Sequence, residues 1–224
     1  LYASVTGYLG SKPFRHEGKV TGLSARGSAS NISLPFPFEG PFPHRRINTR
    51  FPLYDWLTQL DEHSPEDIAA WLQEGIETEM LGILRWARVQ FGPAPLVMAG
   101  GLVANVALNS RIANELDIPD LFIFPNMGDA GLAAGAAYLC GAQHFNWTSR
   151  KIDSVYWGPK ITVYSINEIT LNGFDCRQLS IDELILNANQ TLANGKIMAR
   201  AVGNMEYGPR ALGHRSILCS AHSK

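Results

Sequence analysis

Two arginines share one short stretch, Gly208-Pro209-Arg210-Ala211-Leu212-Gly213-His214-Arg215-Ser216. Planar guanidinium groups match phosphate oxygens in bidentate fashion, and a serine hydroxyl adds a further donor. Arg210, Arg215 and Ser216 therefore form a candidate phosphate-handling element, with a solvated surface turn as the alternative. A second candidate is Gly128-Asp129-Ala130-Gly131. Asp129 offers a hard oxygen ligand to a metal, or else serves as the N-cap of the helix that follows. Gly100-Gly101 follows a strand-like run and opens a helix, so its backbone can approach an anionic group without a Cβ in the way, or it is a plain turn. Glu17-Gly18-Lys19 supplies one carboxylate and one ammonium, which suits either a phosphate neighbour or a solvated ion pair. None of the six histidines forms an H-x-x-x-H pair, the spacing that sets two imidazoles on one helix face.

The elements that must position these groups are legible in the apolar pattern. Leu1 to Gly27 has helix-like spacing broken by glycines. Leu34 to Pro43 carries four prolines, which predicts extended backbone with its phenylalanines packed onto the body. Ser64 caps a long helix, Pro65 suits its first turn, and Glu66 and Asp67 favour the positive end of its dipole. Ile68, Leu72, Ile76, Met80, Ile83, Ala87 and Phe91 predict one buried stripe along it, and Gly92 ends it. Leu96–Ala99 and Leu121–Phe124 read as short buried strands, each followed by a glycine turn and a helix, Val103–Leu116 and Leu132–Ala142. That order predicts parallel strands with both turns at their carboxyl edge, where open sheets bind ligands. After Arg150 the texture changes. Tyr156-Trp157-Gly158-Pro159 reads as a linker or domain entry, Ser180 with Glu183 as a capping box, and Lys196–Val202 as a strand.

Bulk properties exclude little. The chain has 224 residues, 46% hydrophobic and 17% charged, with a formal net charge of -1. Nothing in that balance favours nucleic acid or a membrane surface as partner. Cys140, Cys176 and Cys219 lie far apart with no C-x-x-C, which predicts neither a zinc site nor a disulfide framework and suits a reduced, cytoplasmic compartment. The chain opens at Leu1 and stops at Lys224 just after the apolar run Ile217–Cys219, so both edges are expected to be cuts.

Taken together, three segments resemble the carbamoyltransferase family that decorates antibiotics and nodulation factors. They are Tyr2-Ala3-Ser4-Val5-Thr6 through Arg15-His16-Glu17-Gly18-Lys19-Val20-Thr21-Gly22-Leu23; Ala99-Gly100-Gly101-Leu102-Val103-Ala104-Asn105 with Phe122-Ile123-Phe124-Pro125 and Gly128-Asp129-Ala130-Gly131; and Glu206-Tyr207 through Ile217-Leu218. The resemblance implies an α/β chain. Residues 1–150 would be the C-terminal part of an actin-like, sugar-kinase-like (ASKHA) domain, and residues 151–224 a linker and the start of a threonylcarbamoyl-AMP-synthase-like domain. It further implies that carbamoyl phosphate and ATP are joined into carbamoyl adenylate. The carbamoyl group then passes to a small-molecule hydroxyl acceptor, a sugar or natural product, beside a divalent iron or magnesium ion. By position, Asp129 resembles the metal-binding aspartate. Gly100, Gly101 and Asn105, with Gly128 and Gly131, resemble the nucleotide-binding turns, and Glu17 and Lys19 line up with residues near the nucleotide. Arg210, Arg215 and Ser216 fall in the second domain's signature.

The family's paired histidines are not among these residues, and most of the second domain would follow Lys224, so the isolated piece is expected to be inactive. His214 stands where the family commonly has asparagine, and Asn204 where a basic residue is frequent. Rival readings are a tRNA threonylcarbamoyltransferase relative, a sugar or acetate-type kinase, and a non-catalytic nucleotide-binding relative.

Overall fold

The computed structural model describes residues 1–48, 53–148, 151–161 and 173–221. They divide into two compact units, Leu1–Phe124 and Pro125–Lys224. The division falls earlier than the change of texture after Arg150.

In the first unit, α1 (Tyr2–Tyr8) and α2 (Glu17–Ser24) pack with α3 (Leu53–Leu57) and α4 (Pro65–Phe91). Val5, Val20, Leu57, Leu60, Leu72 and Trp71 form the centre of the core. Helix α4 begins as its sequence dictates. The Ser64 hydroxyl accepts from the Asp67 N–H, Pro65 occupies the first turn, and Gly92 closes the far end. Its stripe buries Ile68, Leu72 and Ile76, but Phe91 is 75% exposed. The predicted stripe thus runs past the core, and Phe91 instead meets Trp86 edge-on.

The proline-rich segment is extended, and its phenylalanines do pack onto the body. β1 (Phe38–Glu39) pairs antiparallel with β2 (Arg46–Ile47). Phe36 lies against Trp71, and α4 admits the two rings at its glycines. A Cβ on Gly75 would stand 2.1 Å from the Phe36 ring, and one on Gly82 2.3 Å from the Phe42 ring. Arg45 clamps the segment to α4. Its Nε donates to Glu79 at 2.7 Å, its Nη1 to the Gly40 carbonyl at 2.8 Å, and its guanidinium lies over Phe42.

Strands β3 (Leu96–Met98) and β4 (Leu121–Ile123) pair in parallel, as their order in the chain predicts, with α5 (Val106–Glu115) between them. Each strand is one residue shorter than its apolar run. The start of the predicted helix from Val103 is a separate 3-10 turn, Gly101–Ala104.

In the second unit, a 3-10 turn at Asp129–Gly131 leads into α6 (Leu132–His144). Helix α7 (Ile181–Ala193) opens on the predicted capping box, with the Ser180 hydroxyl and the Glu183 carboxylate bonded reciprocally. β5 (Met198–Ala201) and β6 (Arg215–Leu218) then form an antiparallel pair. The 155–161 segment is no free linker. The Gly158 N–H donates to the Met205 carbonyl, Met205 N–H to Pro159, Ile161 N–H to Gly203 and Tyr207 N–H to Val155. It therefore lies along the approach to the Arg210 motif like an added strand.

Candidate functional site

The first-unit candidates sit on a glycine turn and two helix starts. Gly100 has φ +113°, a conformation that side chains rarely adopt, and nothing lies within 4 Å of where a Cβ would stand on Gly100 or Gly101. The turn therefore leaves its backbone open to an approaching group. Asn105, in contrast, is already committed. Its Oδ1 accepts from the Leu108 N–H and so caps α5, and its Nδ2 donates to the Gln73 Oε1 at 2.8 Å. Gln73 in turn donates to Glu77 and to Asn105 and accepts from the Tyr2 hydroxyl. Arg111 extends the network to Glu77 at 2.8 Å. Burial pushes the Tyr2 phenol above its usual range. A buried polar network of this kind joins α1, α4 and α5, and it occupies the Asn105 amide that the resemblance places at a nucleotide turn. Asn109, one helical turn further on, donates to the Val103 carbonyl, and its Oδ1 is buried without a partner among the described residues.

Glu17 opens α2 and accepts from the Phe14 N–H, so its carboxylate holds the chain entering its own helix. Lys19 is exposed two positions further along that turn.

In the second unit, Asp129 is exposed and starts the 3-10 turn. The cap reading fails, because Gly131 stands at the N-cap of α6 and no side chain caps it. Gly131 is buried beneath that turn. As for a metal, no group of three or more His, Cys, Asp and Glu side chains gathers among the described residues. Asp129 therefore stands as one candidate ligand, and these residues do not compose a complete metal site.

The Arg210 motif is built around a residue to which the sequence reading gave no role of its own. Glu206 is 6% exposed, and one carboxylate oxygen accepts from the backbone N–H groups of Leu212, His214 and Arg215 at 2.7, 2.8 and 3.1 Å. Burial pushes its carboxyl up, but the backbone N–H groups of Leu212, Glu206, Arg215 and His214 outweigh it and hold it down at about 2. A concave row of peptide N–H groups around one oxyanion fixes the loop from inside. Gly208 is required for another reason. Its φ is +121°, and a Cβ there would lie 2.3 Å from the Pro125 carbonyl oxygen.

Arg215 does not point its fork at open space. Its Nη1 donates to the Val202 and His214 carbonyls at 2.7 and 2.9 Å, and its Nη2 to Gly203 and Pro159 at 3.1 and 3.4 Å. Both terminal nitrogens of the fork thus meet backbone carbonyls, which gives Arg215 a structural role beside the phosphate role read from its charge. The Ser216 hydroxyl accepts from the Gly213 N–H at 3.0 Å and retains its own proton to donate. Arg210 is exposed on the loop that these contacts shape. His214 stacks on Tyr156 with ring centroids 3.6 Å apart, and its Nδ1 meets the Asn204 carbonyl at 2.7 Å. The two positions that depart from the family's usual residues are thus in contact with each other.

A pH dependence follows from Glu206. Its folded pKa of about 2 lies below the ordinary 4.5, so its contribution is complete above 4.5 and is lost as pH falls toward 2. Thermal unfolding of the second unit is expected to shift to lower temperature across that window. Glu206→Gln is expected to unfold earlier at neutral pH and to show a flatter acid limb. A Glu206→Gln curve that parallels the parent's would remove this role from Glu206.

Two family descriptions match this chain: Carbamoyltransferase N-terminus over residues 50–138 and Carbamoyltransferase C-terminus over residues 189–224. An uncharacterized protein of Methanocaldococcus jannaschii is 31% identical over 239 aligned positions, which cover 97% of this chain and 38% of that protein. Nodulation protein NolO of Bradyrhizobium diazoefficiens is 35% identical over 68% of this chain and 28% of its own length. The 3'-hydroxymethylcephem-O-carbamoyltransferase of Streptomyces clavuligerus is 30% identical over 58% of this chain and 23% of its own. The chain thus spans well under half the length of these relatives. With both family matches in order along it, and with the glycine turn and the Arg210 loop falling inside them, this chain belongs to the carbamoyltransferase family.

Proposed function

We propose that the protein is an ATP-dependent O-carbamoyltransferase. Carbamoyl phosphate and ATP give carbamoyl adenylate, with pyrophosphate and phosphate leaving and one water consumed. The acceptor hydroxyl oxygen then attacks the carbamoyl carbon, the C–O bond to AMP breaks, and the hydroxyl proton is released. A mixed anhydride with AMP supplies the good leaving group that carbamate itself lacks. The observation that carries this reading is the ordered pair of family matches, 50–138 and 189–224. A tRNA-modifying relative built from the first domain alone would leave the second match without a purpose.

Within that scheme the open backbone at Gly100-Gly101 suits the approach of a nucleotide phosphate. Arg210 and the Ser216 hydroxyl would contact the anion, while Glu206 and Arg215 hold the loop's shape. The divalent ion that the resemblance implies has one candidate ligand here, Asp129.

The test is pyrophosphate release from ATP by the protein expressed from its complete reading frame, with and without carbamoyl phosphate. Release is expected to depend on carbamoyl phosphate and to fall about tenfold or more in Arg210→Ala, the scale of one lost charge-assisted contact. Release that ignores carbamoyl phosphate would replace this reading with that of a nucleotide-binding relative.

A further inference from the structure

Donors crowd the Arg210 loop, but side-chain acceptors are scarce in it. From Gly208 to Ser216 the side chains able to accept a hydrogen bond are the His214 ring and the Ser216 hydroxyl, because a guanidinium has no acceptor. Ser216 already accepts from the Gly213 N–H at 3.0 Å.

The His214 imidazole is held on three sides. One face stacks on Tyr156, with centroids 3.6 Å apart and planes 11° from parallel. Gly203 closes on its edge, where a Cβ would stand 3.2 Å from the ring's Cε1. Nδ1 lies 2.7 Å from the Asn204 carbonyl oxygen. The Tyr156 platform is itself fixed. Its hydroxyl donates to the Leu212 carbonyl at 3.1 Å, and its own carbonyl accepts from the Asn204 amide at 3.3 Å. A carbonyl oxygen only accepts, so Nδ1 carries the proton, and in the neutral ring the lone pair belongs to Nε2. Nε2 has no hydrogen-bond partner among the described residues. The protein thus sets both the plane of this ring and the nitrogen that accepts.

Carbamoyl phosphate suits such a group. Its NH2 donates hydrogen bonds and is separated from phosphorus by a single carbon and a single oxygen, so whatever reads it must stand beside the phosphate contacts. His214 lies between Arg210 and Ser216 in the chain. Acetyl phosphate has the same phosphate and nearly the same shape, with a methyl group in place of NH2. Phosphate contacts cannot separate the two, whereas an acceptor facing the NH2 can, because the methyl leaves it unpaired.

We propose that His214 determines donor specificity, its Nε2 accepting from the carbamoyl NH2 while Arg210 and Ser216 contact the phosphate. This rests on the carbamoyltransferase reading and names the residue that selects the carbamoyl group.

Pyrophosphate release from ATP by the protein from its complete reading frame tests it, with carbamoyl phosphate and acetyl phosphate as alternative substrates. The quantity read is the ratio of their kcat/KM values, and the parent is expected to favour carbamoyl phosphate. His214→Phe keeps a flat ring for Tyr156 and removes both nitrogens. It is expected to lower the ratio about tenfold, the scale of one lost hydrogen bond. His214→Asn is expected to keep most of the ratio, since its amide sets a donor toward Asn204 and a carbonyl acceptor on the other side. His214→Leu, the apolar match of asparagine, gives the same comparison where His214→Phe does not fold. A residue that only positions the loop would lower both substrates together and leave the ratio unchanged. That outcome in His214→Phe or His214→Leu, or a parent that uses the two substrates equally well, would overturn the assignment. Release by the parent that ignores carbamoyl phosphate would instead overturn the transferase reading beneath it.

Discussion

Asn105→Ala is expected to destabilise the first unit by about 2–4 kcal/mol. Loss of a helix cap costs about 1 kcal/mol, and a buried amide left without its partner costs about 1–3 kcal/mol more. Both losses fall on one side chain, because Asn105 caps α5 through Leu108 and completes the Gln73 amide pair. Urea unfolding of the parent and variant reads the difference. Asn105→Ser retains a capping oxygen and is expected to recover about 1 kcal/mol of it. The competing role, contact with a nucleotide, makes the opposite forecast. An Asn105→Ala protein of parental stability whose nucleotide affinity has collapsed would restore Asn105 to the ligand site.

Arg215→Ala is expected to cost the second unit about 2–4 kcal/mol, since hydrogen bonds from a charged donor are worth about 1.5–3 kcal/mol and four carbonyls lose theirs together. Those carbonyls belong to Pro159, Val202, Gly203 and His214, so one guanidinium ties the 155–161 segment to the edge of β5 and the start of β6. Amide exchange is the direct probe. The Ile161 and Val202 N–H groups, which donate to the Gly203 and His214 carbonyls, are expected to lose protection in Arg215→Ala. Arg215→Lys is expected to regain only part of it, because an ammonium cannot reproduce the planar fork. Unchanged protection with a raised KM for carbamoyl phosphate would return Arg215 to phosphate binding.

The two arginines of the motif therefore divide the work. Arg215 is spent on backbone carbonyls, Glu206 on backbone N–H groups, and Arg210 is carried on the loop between them. A loop held from inside by both a buried anion and a cation arrives preorganised.

What the sequence by itself determined are the features whose partners lie within a few residues. Ser64 reaches Asp67, Ser180 reaches Glu183, and Gly92 follows the last turn of α4, so each boundary was readable from residue type and spacing. The parallel pairing of β3 and β4 was equally legible, because two apolar runs flanking a helical one leave a crossover as the natural connection. The prolines of Leu34–Pro43 announced an extended segment, and its phenylalanines had only the body to pack against. Tertiary structure decided how each polar group is spent. Asn105 caps its own helix but also meets Gln73 on α4, and Arg215 meets Pro159 and Gly203, pairings far apart along the chain that no local pattern encodes. Glu206 looks like any acidic residue before a turn until the Leu212–Arg215 backbone folds over its carboxylate. Phe91 continues a faultless helical stripe, yet it is exposed because the core ends before the helix does. Periodicity reports which face a residue shares, whereas burial and hydrogen-bond partners depend on what the rest of the chain places opposite it.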